Sequence, residues 1–400
     1  MRFRSSLGPL SFVFAAAVMA AAPIASVACG GAVTETPASG DSGTPGESPD
    51  ADVGVDAAGD GAVPDYIPQP NVIAHVSAMI SAVAMDDTTI YFACDDGSIQ
   101  SVPKDGSAPP KTIAQAMTTY TEGIAVDATD VYFTNLAPGT IQRVPKGGGV
   151  PETIATGQLR PQGITLDATQ VYWANQGTDA EGAPGNDGSI MALAKSGGTP
   201  VVLVSGEQMP VAIALEGTQL VWGDGPWGST NAMIRTLDLA GGGGDAGDGG
   251  VPSSLASGLD NLWVPAIAGG RVYFTVGGGT DIEWDAGLLS TEATISSVPL
   301  AGGPTTVLSR FTITPLAIGA DDAFLYYGTI TNDLTSGTIR KIPLGGGTAV
   351  DFAPAPQIPG PRDVGDSPQF MLVDATRVYV VDYYATRTGG EQGLVRAYGK

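Results

Sequence analysis

The chain has 400 residues, among them 57 Gly and 30 Pro, with charged residues at 15% and aromatics at 7%, a balance that describes a turn-rich all-β protein rather than a helical bundle. Forty-one acidic against 18 basic residues give a formal charge of −23, so the field of the protein repels phosphate backbones and excludes nucleic acid as a partner. A single His and two Cys remove most of the residue types from which catalytic bases, metal clusters and disulfide frameworks are built.

The first element is an export signal. Arg2 and Arg4 form its positive start, Leu7 to Ile24 its apolar run, and Ser26, Val27 and Ala28 supply small residues before Cys29. No later run approaches the roughly 20 apolar residues of a membrane span. Cys29, placed at the cleavage point ahead of a Gly-, Pro-, Ser-, Thr- and Asp-rich tract, resembles the lipobox of bacterial lipoproteins, in which that thiol is acylated and becomes the new N-terminus. Ser26 stands where the motif has Leu or Val, and plain secretion after cleavage at Ala28 is the alternative. The resemblance implies a signal peptide over 1–28, a lipid anchor on Cys29, and an outer-membrane-anchored address in the bacterial cell envelope. Residues 29–70 then read as a tether: eight carboxylates, neither Lys nor Arg and almost no aliphatic runs cannot offset the chain entropy of folding. A flexible coil of that length spans roughly 35 Å.

From 71 to 400 one pattern repeats. Tyr91, Tyr132, Tyr172, Val221, Tyr273, Tyr326 and Tyr379 each sit in the second of four short apolar runs, spaced 41 and 40 residues apart at first and 49 to 53 later. Five residues before each lies Asp86, Asp127, Asp167, Glu216, Ala268, Asp321 or Asp374. Seven such units predict an all-β, seven-bladed β-propeller of four-stranded antiparallel blades. The Asp opens the turn between the first two strands, where its side chain bonds the turn backbone; that local role explains a ring of carboxylates without a metal. The first strand carries a small middle residue in most units (Ala84, Ala125, Thr165, Ala214, Ala266, Gly319), as crowding near a propeller axis requires. Third strands end at Val144-Pro145 and its equivalents, where Pro stops the ladder. The seventh unit ends after three strands, and Asn71 to Val76 resembles the missing fourth, so an N-terminal strand is expected to close the ring.

The stretches Val131–Gly149, containing VYFTN, and Val171–Gly177, VYWANQG, resemble the YWTD repeats of the low-density-lipoprotein-receptor class. That resemblance implies a propeller and a binding role, although YWTD propellers have six blades and only two units here carry Trp after the aromatic position.

No CxxC, HExxH, P-loop or GxSxG motif occurs, and no catalytic residue, cofactor or metal ligand is assigned; a Ca²⁺ site of channel-facing Asp, Glu and Asn is the one cofactor considered. His75 is expected on the closing strand and Cys94 as a buried small residue. Longer connections between second and third strands, together with the links between blades, emerge on one face. They gather Glu122, Arg160, Gln162, Gln208, Trp227, Trp263 and Trp284, a mix of aromatic and polar groups suited to a carbohydrate or protein ligand. The residues favour a monomeric, envelope-anchored binding or scaffold lipoprotein. The alternative is an exported propeller enzyme, a metal-assisted hydrolase or a lyase resembling virginiamycin B lyase, with its site at the channel mouth.

Overall fold

The computed structural model describes residues 71–115, 121–180, 183–225, 231–241, 251–277, 293–311, 315, 317–330, 337–354, 367–385 and 391–400. These residues form seven four-stranded antiparallel sheets. Blade 1 comprises Ile80–Met85, Thr89–Cys94, Ser98–Pro103 and Lys111–Gln115; blade 2, Thr121–Val126, Asp130–Asn135, Thr140–Pro145 and Glu152–Ala155; blade 3, Pro161–Leu166, Gln170–Asn175, Gly188–Ala194 and Val201–Glu207. Blade 4 comprises Val211–Glu216, Gln219–Asp224, Ala232–Asp238 and Ser253–Leu259; blade 5, Leu262–Ala268, Arg271–Val276, Ala293–Pro299 and Thr306–Phe311; blade 6, Ile318–Ala320, Phe324–Ile330, Gly337–Pro343 and Val350–Pro354. Blade 7 takes Ser367–Val373, Arg377–Ala385 and Glu391–Gly399 from one end of the chain and Val72–Val76 from the other. The first strands adjoin one another in a closed circle, so the protein is a seven-bladed β-propeller.

Closure occurs as the sequence predicts. Val72 pairs with Arg396, Ala74 with Val395, His75 with Leu394 and Val76 with Gly393, and Asn71 accepts a further bond from the Ala397 amide at 2.8 Å. The ladder covers an edge that blade 7 would otherwise expose. Ala74 and Val76 are buried against Phe92, Phe370 and Val395, whereas His75 points outward and is exposed.

The core is a ring of layers, one between each pair of neighbouring blades. Between blades 1 and 2, Tyr91, Ala93 and Ile99 meet Ile124, Val131 and Phe133; Tyr132, with the opposite pleat, faces Ile164 and Trp173 of blade 3. Both faces of a second strand are therefore buried, which is why Val131-Tyr132-Phe133 reads as a continuous apolar triplet instead of alternating. Fourth strands lie outermost and are largely solvent-facing, as in Lys111–Gln115, where only Ile113 and Ala114 are buried.

Near the axis the crowding exceeds what the small middle residues suggest. Thr121–Val126 and Pro161–Leu166 are buried along their whole length. The tightest approach lies two residues before the middle position: a Cβ on Gly123 would sit 2.3 Å from the Gln162 carbonyl oxygen, and one on Gly163 would sit 2.7 Å from the Ile213 nitrogen. Six first strands slip register by one residue against their second strands at this level. Such a bulge increases local twist and re-aims side chains.

Connections in three blades differ from expectation. In blades 6 and 7 much of the predicted loop between second and third strands is strand, reaching Ile330 and Ala385 and resuming at Gly337 and Glu391, because the two arms keep pairing beyond the apolar core. In blade 4 the longest connection joins the third and fourth strands, passing through a 3₁₀ turn at Leu239–Gly241, and so leaves on the opposite face from the one anticipated.

Candidate functional site

On the face that carries the turns between first and second strands, the repeated carboxylates prove to be structural clamps. Asp127 Oδ1 accepts from the amides of Thr129 and Asp130, each at 2.9 Å, which closes the turn. Its Oδ2 accepts from Tyr132 Oη at 3.2 Å and from Lys195 Nζ of the next blade at 2.9 Å, and that ammonium lies 5.6 Å from the Tyr132 ring centroid. The unit recurs as Asp86, Tyr91 and Lys146, as Asp374, Tyr379 and Lys104, and as Asp321, Tyr326 and Lys400. Burial pushes the Asp127 carboxyl up, but Lys195 and the two turn amides outweigh it and hold it at about 2. Tyr132 moves the other way, to about 12, through burial and the Asp127 charge. A carboxylate so filled has no coordination capacity left for a metal ion.

Of the residues singled out from the sequence, Glu122, Arg160, Gln162 and Gln208 lie on the opposite, loop face, in two places. Glu122 and Gln162 occupy equivalent bulged positions in the first strands of blades 2 and 3, both buried, with Gln162 Nε2 3.5 Å from Glu122 Oε2. Thr134 Oγ1 donates to the Gln162 carbonyl at 2.8 Å, and Ser81 Oγ donates to the Thr121 carbonyl at 2.7 Å. Arg160 enters blade 3 with φ 55°; Met209 and Asn261 enter blades 4 and 5 with φ 57° and 46°. Non-Gly residues in the left-handed region at the entries of three successive blades mark a backbone held by its surroundings. Trp263 takes the position of Glu122 and Gln162 in the first strand of blade 5, opposite Thr275. Trp227 and Trp284 lie outside the described residues. With Glu122 as the carboxylate among Ser81, Glu122, Gln162 and Val211, the described donors at the mouth do not suit Ca²⁺, which takes six to eight oxygens and several charges. Among the described residues no three His, Cys, Asp or Glu side chains gather as metal ligands.

Gln208 lies elsewhere, in a groove of about 620 Å³ between blades 3 and 4 whose other walls include Asn186, Asp224, Asn231, Met233 and Arg235. Under it Glu207, 1% exposed, ends the fourth strand of blade 3. Its carboxylate accepts from Trp222 Nε1 at 2.8 Å and from Arg235 Nη1 at 2.7 Å, both on blade 4. Asp224, 2% exposed, accepts the Gln208 amide at 2.8 Å, while Gln208 Nε2 donates to Asn186 Oδ1 at 3.0 Å. Burial, and then the charge of Glu207, raise the Asp224 carboxyl to about 7 against the pull of the Gln208 amide and Arg235. The groove therefore holds an acid that stays protonated below about pH 7, beside a carboxylate neutralised by an arginine.

Sequence reasoning missed Glu207, Asp224 and Arg235. A signal existed: three residues after the repeating aromatic stand Cys94, Asn135, Asn175, Asp224, Val276, Thr329 and Asp382, mostly polar positions at the loop-face end of a buried strand. The two Trp residues after the aromatic position also have a shared role. Trp173 Nε1 donates to Gln158 Oε1 at 3.0 Å as Trp222 does to Glu207, in each case tying a blade to the end of the preceding one.

No protein-family model and no curated protein matches the chain. Among solved structures it is similar to hydrazine synthase of Kuenenia stuttgartiensis, with 16% identity over 80% of this chain and 96% of that one and a TM-score of 0.55. It is also similar to the computationally designed Ika8 protein, with 14% identity over 82% of this chain and 100% of that one and a TM-score of 0.51. A chain of a nidogen/laminin complex matches with 20% identity, 67% and 93% coverage and a TM-score of 0.45. At these identities the likeness extends to the fold alone.

Proposed function

We propose that this propeller is a binding or scaffold protein of the bacterial envelope, anchored through a lipid on Cys29, carried on the 29–70 tether and engaging its ligand with the loop face. The observation that carries the reading is the contrast between faces: on the turn face repeated carboxylates are consumed by clamps, whereas the loop face holds an open groove of about 620 Å³ with several polar groups directed into it. Pockets of this volume accommodate small ligands or an anchoring side chain of a partner. The YWTD-like character of VYFTN and VYWAN belongs to the same reading, since it implies recognition by a propeller face.

The exported-enzyme alternative draws on Asp224, which has the raised pKa of a general acid. Glu207 is, however, its hydrogen-bonding neighbour, closer than the roughly 5 Å that two carboxyls need to flank a glycosidic bond. The pair suits the holding of a ligand better than its cleavage.

The test compares wild type with Arg160→Ala and Gln208→Ala as baits in envelope extract, alongside the mass of the mature N-terminus. Loss of a retained partner in either variant, with an acylated Cys29, is the expected result. Identical retention by all three proteins would sink the loop-face reading, and an unmodified Cys29 would sink the anchor.

A further inference from the structure

We propose that the groove between blades 3 and 4 is a binding site for a neutral, multiply hydroxylated ligand, a sugar or polyol, held by Gln208, Asp224, Asn231 and Arg235. The proposal rests on the loop-face reading and assigns that face a site and a chemical class of ligand.

Three observations carry it. First, Met233 is the one apolar side chain among those lining the groove, whose surface mixes polar atoms with the carbon of side-chain stems and backbone. Second, donors and acceptors are mixed at close range. Amides at Asn186, Gln208 and Asn231 supply both, and Ser257 supplies a hydroxyl. A hydroxyl group donates once and accepts twice, so a polyol matches such a mixture where an ion of either sign matches half of it. Third, the charges cancel. The Glu207 carboxylate is spent on Arg235 and the Trp222 indole, and Asp224 keeps its proton up to about pH 7. A groove without net charge does not concentrate ions, and the Asp224 proton, shared with Glu207, keeps that acid neutral below about pH 7. The charged groups acting on Asp224 are Glu207, from the preceding blade, and Arg235, on the adjacent third strand; the first strand of blade 4 has its only titratable side chain, Glu216, at the far end, and the fourth strand has none.

The volume lies within the range of roughly 300–1,000 Å³ of small-molecule sites, and its walls belong to second, third and fourth strands rather than to the channel. Rigidity favours the site: Glu207 and Asp224 are locked by bonds across the two blades, so little ordering accompanies binding.

The experiment is calorimetric titration of the full chain at pH 6 and pH 8.5 with glucose, galactose, N-acetylglucosamine and mannitol, and with Ca²⁺ and spermidine as charged probes. At least one neutral probe is expected to bind saturably at pH 6 and at least tenfold more weakly at pH 8.5, where Asp224 has ionised. Gln208→Ala and Asn231→Ala are expected to weaken it about tenfold. Asp224→Asn, which keeps a neutral side chain able to donate, is expected to retain binding and lose the pH dependence; thermal unfolding of each variant confirms that it is folded. Binding of only the charged probes, absence of binding by every neutral probe, or sugar binding indifferent to all three substitutions would overturn the proposal. If Gln208→Ala still loses an envelope partner while no neutral probe binds, the sugar site fails and the loop-face reading stands.

Discussion

Blades 1 to 3 and blades 4 to 6 solve one problem in two ways. In blades 1 to 3 the residue after the third strand is Lys104, Lys146 or Lys195, and each reaches back to an Asp of the preceding blade. In blades 4, 5 and 6 the same position holds Leu239, Leu300 and Leu344, whose backbone amides keep the shared register by donating to Thr218, Gly270 and Ala323. One partner position has lost its carboxylate as well. Ala268 replaces the Asp opposite Leu344, the two pack together, and Tyr273 Oη turns to the Leu344 carbonyl at 3.3 Å. A charged clamp has been exchanged for an apolar contact at both ends at once, as buried ion pairs permit when both members leave together. Asp167 and Glu216 are the unmatched cases: Asp167 keeps its turn amides and the Tyr172 hydroxyl at 2.8 Å but faces Leu239, and Glu216, opposite Leu300, accepts the Gly270 amide at 3.3 Å. The Asp167 interface, between blades 3 and 4, is also the one with the groove, where Glu207, Trp222 and Arg235 tie the opposite face.

The largest expected effect lies outside both regions and calibrates them. Val76→Asp puts an unpaired carboxylate under the closing strand and is expected to cost about 3–5 kcal/mol in urea unfolding; a loss below 1 kcal/mol would mean that closure contributes little. Next, Ala268→Asp alone should destabilise by about 1–3 kcal/mol, since its carboxyl would meet Leu344. Adding Leu344→Lys should restore most of that loss by rebuilding the clamp, and a double mutant no better than the single would break the comparison.

The pH dependence of stability should separate the regions by sign. Asp127 is depressed to about 2, so its contribution is complete above about pH 4, the usual carboxylate value, and is lost as pH falls toward 2. Asp224 is raised to about 7; its contribution is complete below about pH 4 and is lost as pH rises to 7. Unfolding midpoints measured from pH 2 to 8 should lose the acid slope in Asp127→Asn and the falling slope between pH 4 and 7 in Asp224→Asn, with neither variant affecting the other window. The smallest effects concern the loop-face ties. Trp222→Phe removes a donor from an ionised acceptor and should cost about 2 kcal/mol, whereas Trp173→Phe removes one from a neutral amide and should cost about 1 kcal/mol. Equal losses would remove the distinction between the two ties.

Blade number, strand order and ring closure could be read from the chain because a repeat displays each role several times. An aromatic within a short apolar run marks a second strand seven times over, and Asn71 to Val76 stands out as a fourth strand far from its sheet. Even the clamp was half visible, as Asp127 and its equivalents five residues before the aromatic, but its lysine arrives from the next blade and no local pattern announces it. The groove was less accessible still. Gln208 was found because it sits in a link between blades, while Glu207, Asp224 and Arg235 come from three strands of two sheets and depart from their repeats one residue at a time. Periodic, near-neighbour packing is written in the sequence because every unit must satisfy it separately. Which unlike side chains meet across an interface, and the pKa each acquires there, depends on distances and burial that arise only when blade is set against blade.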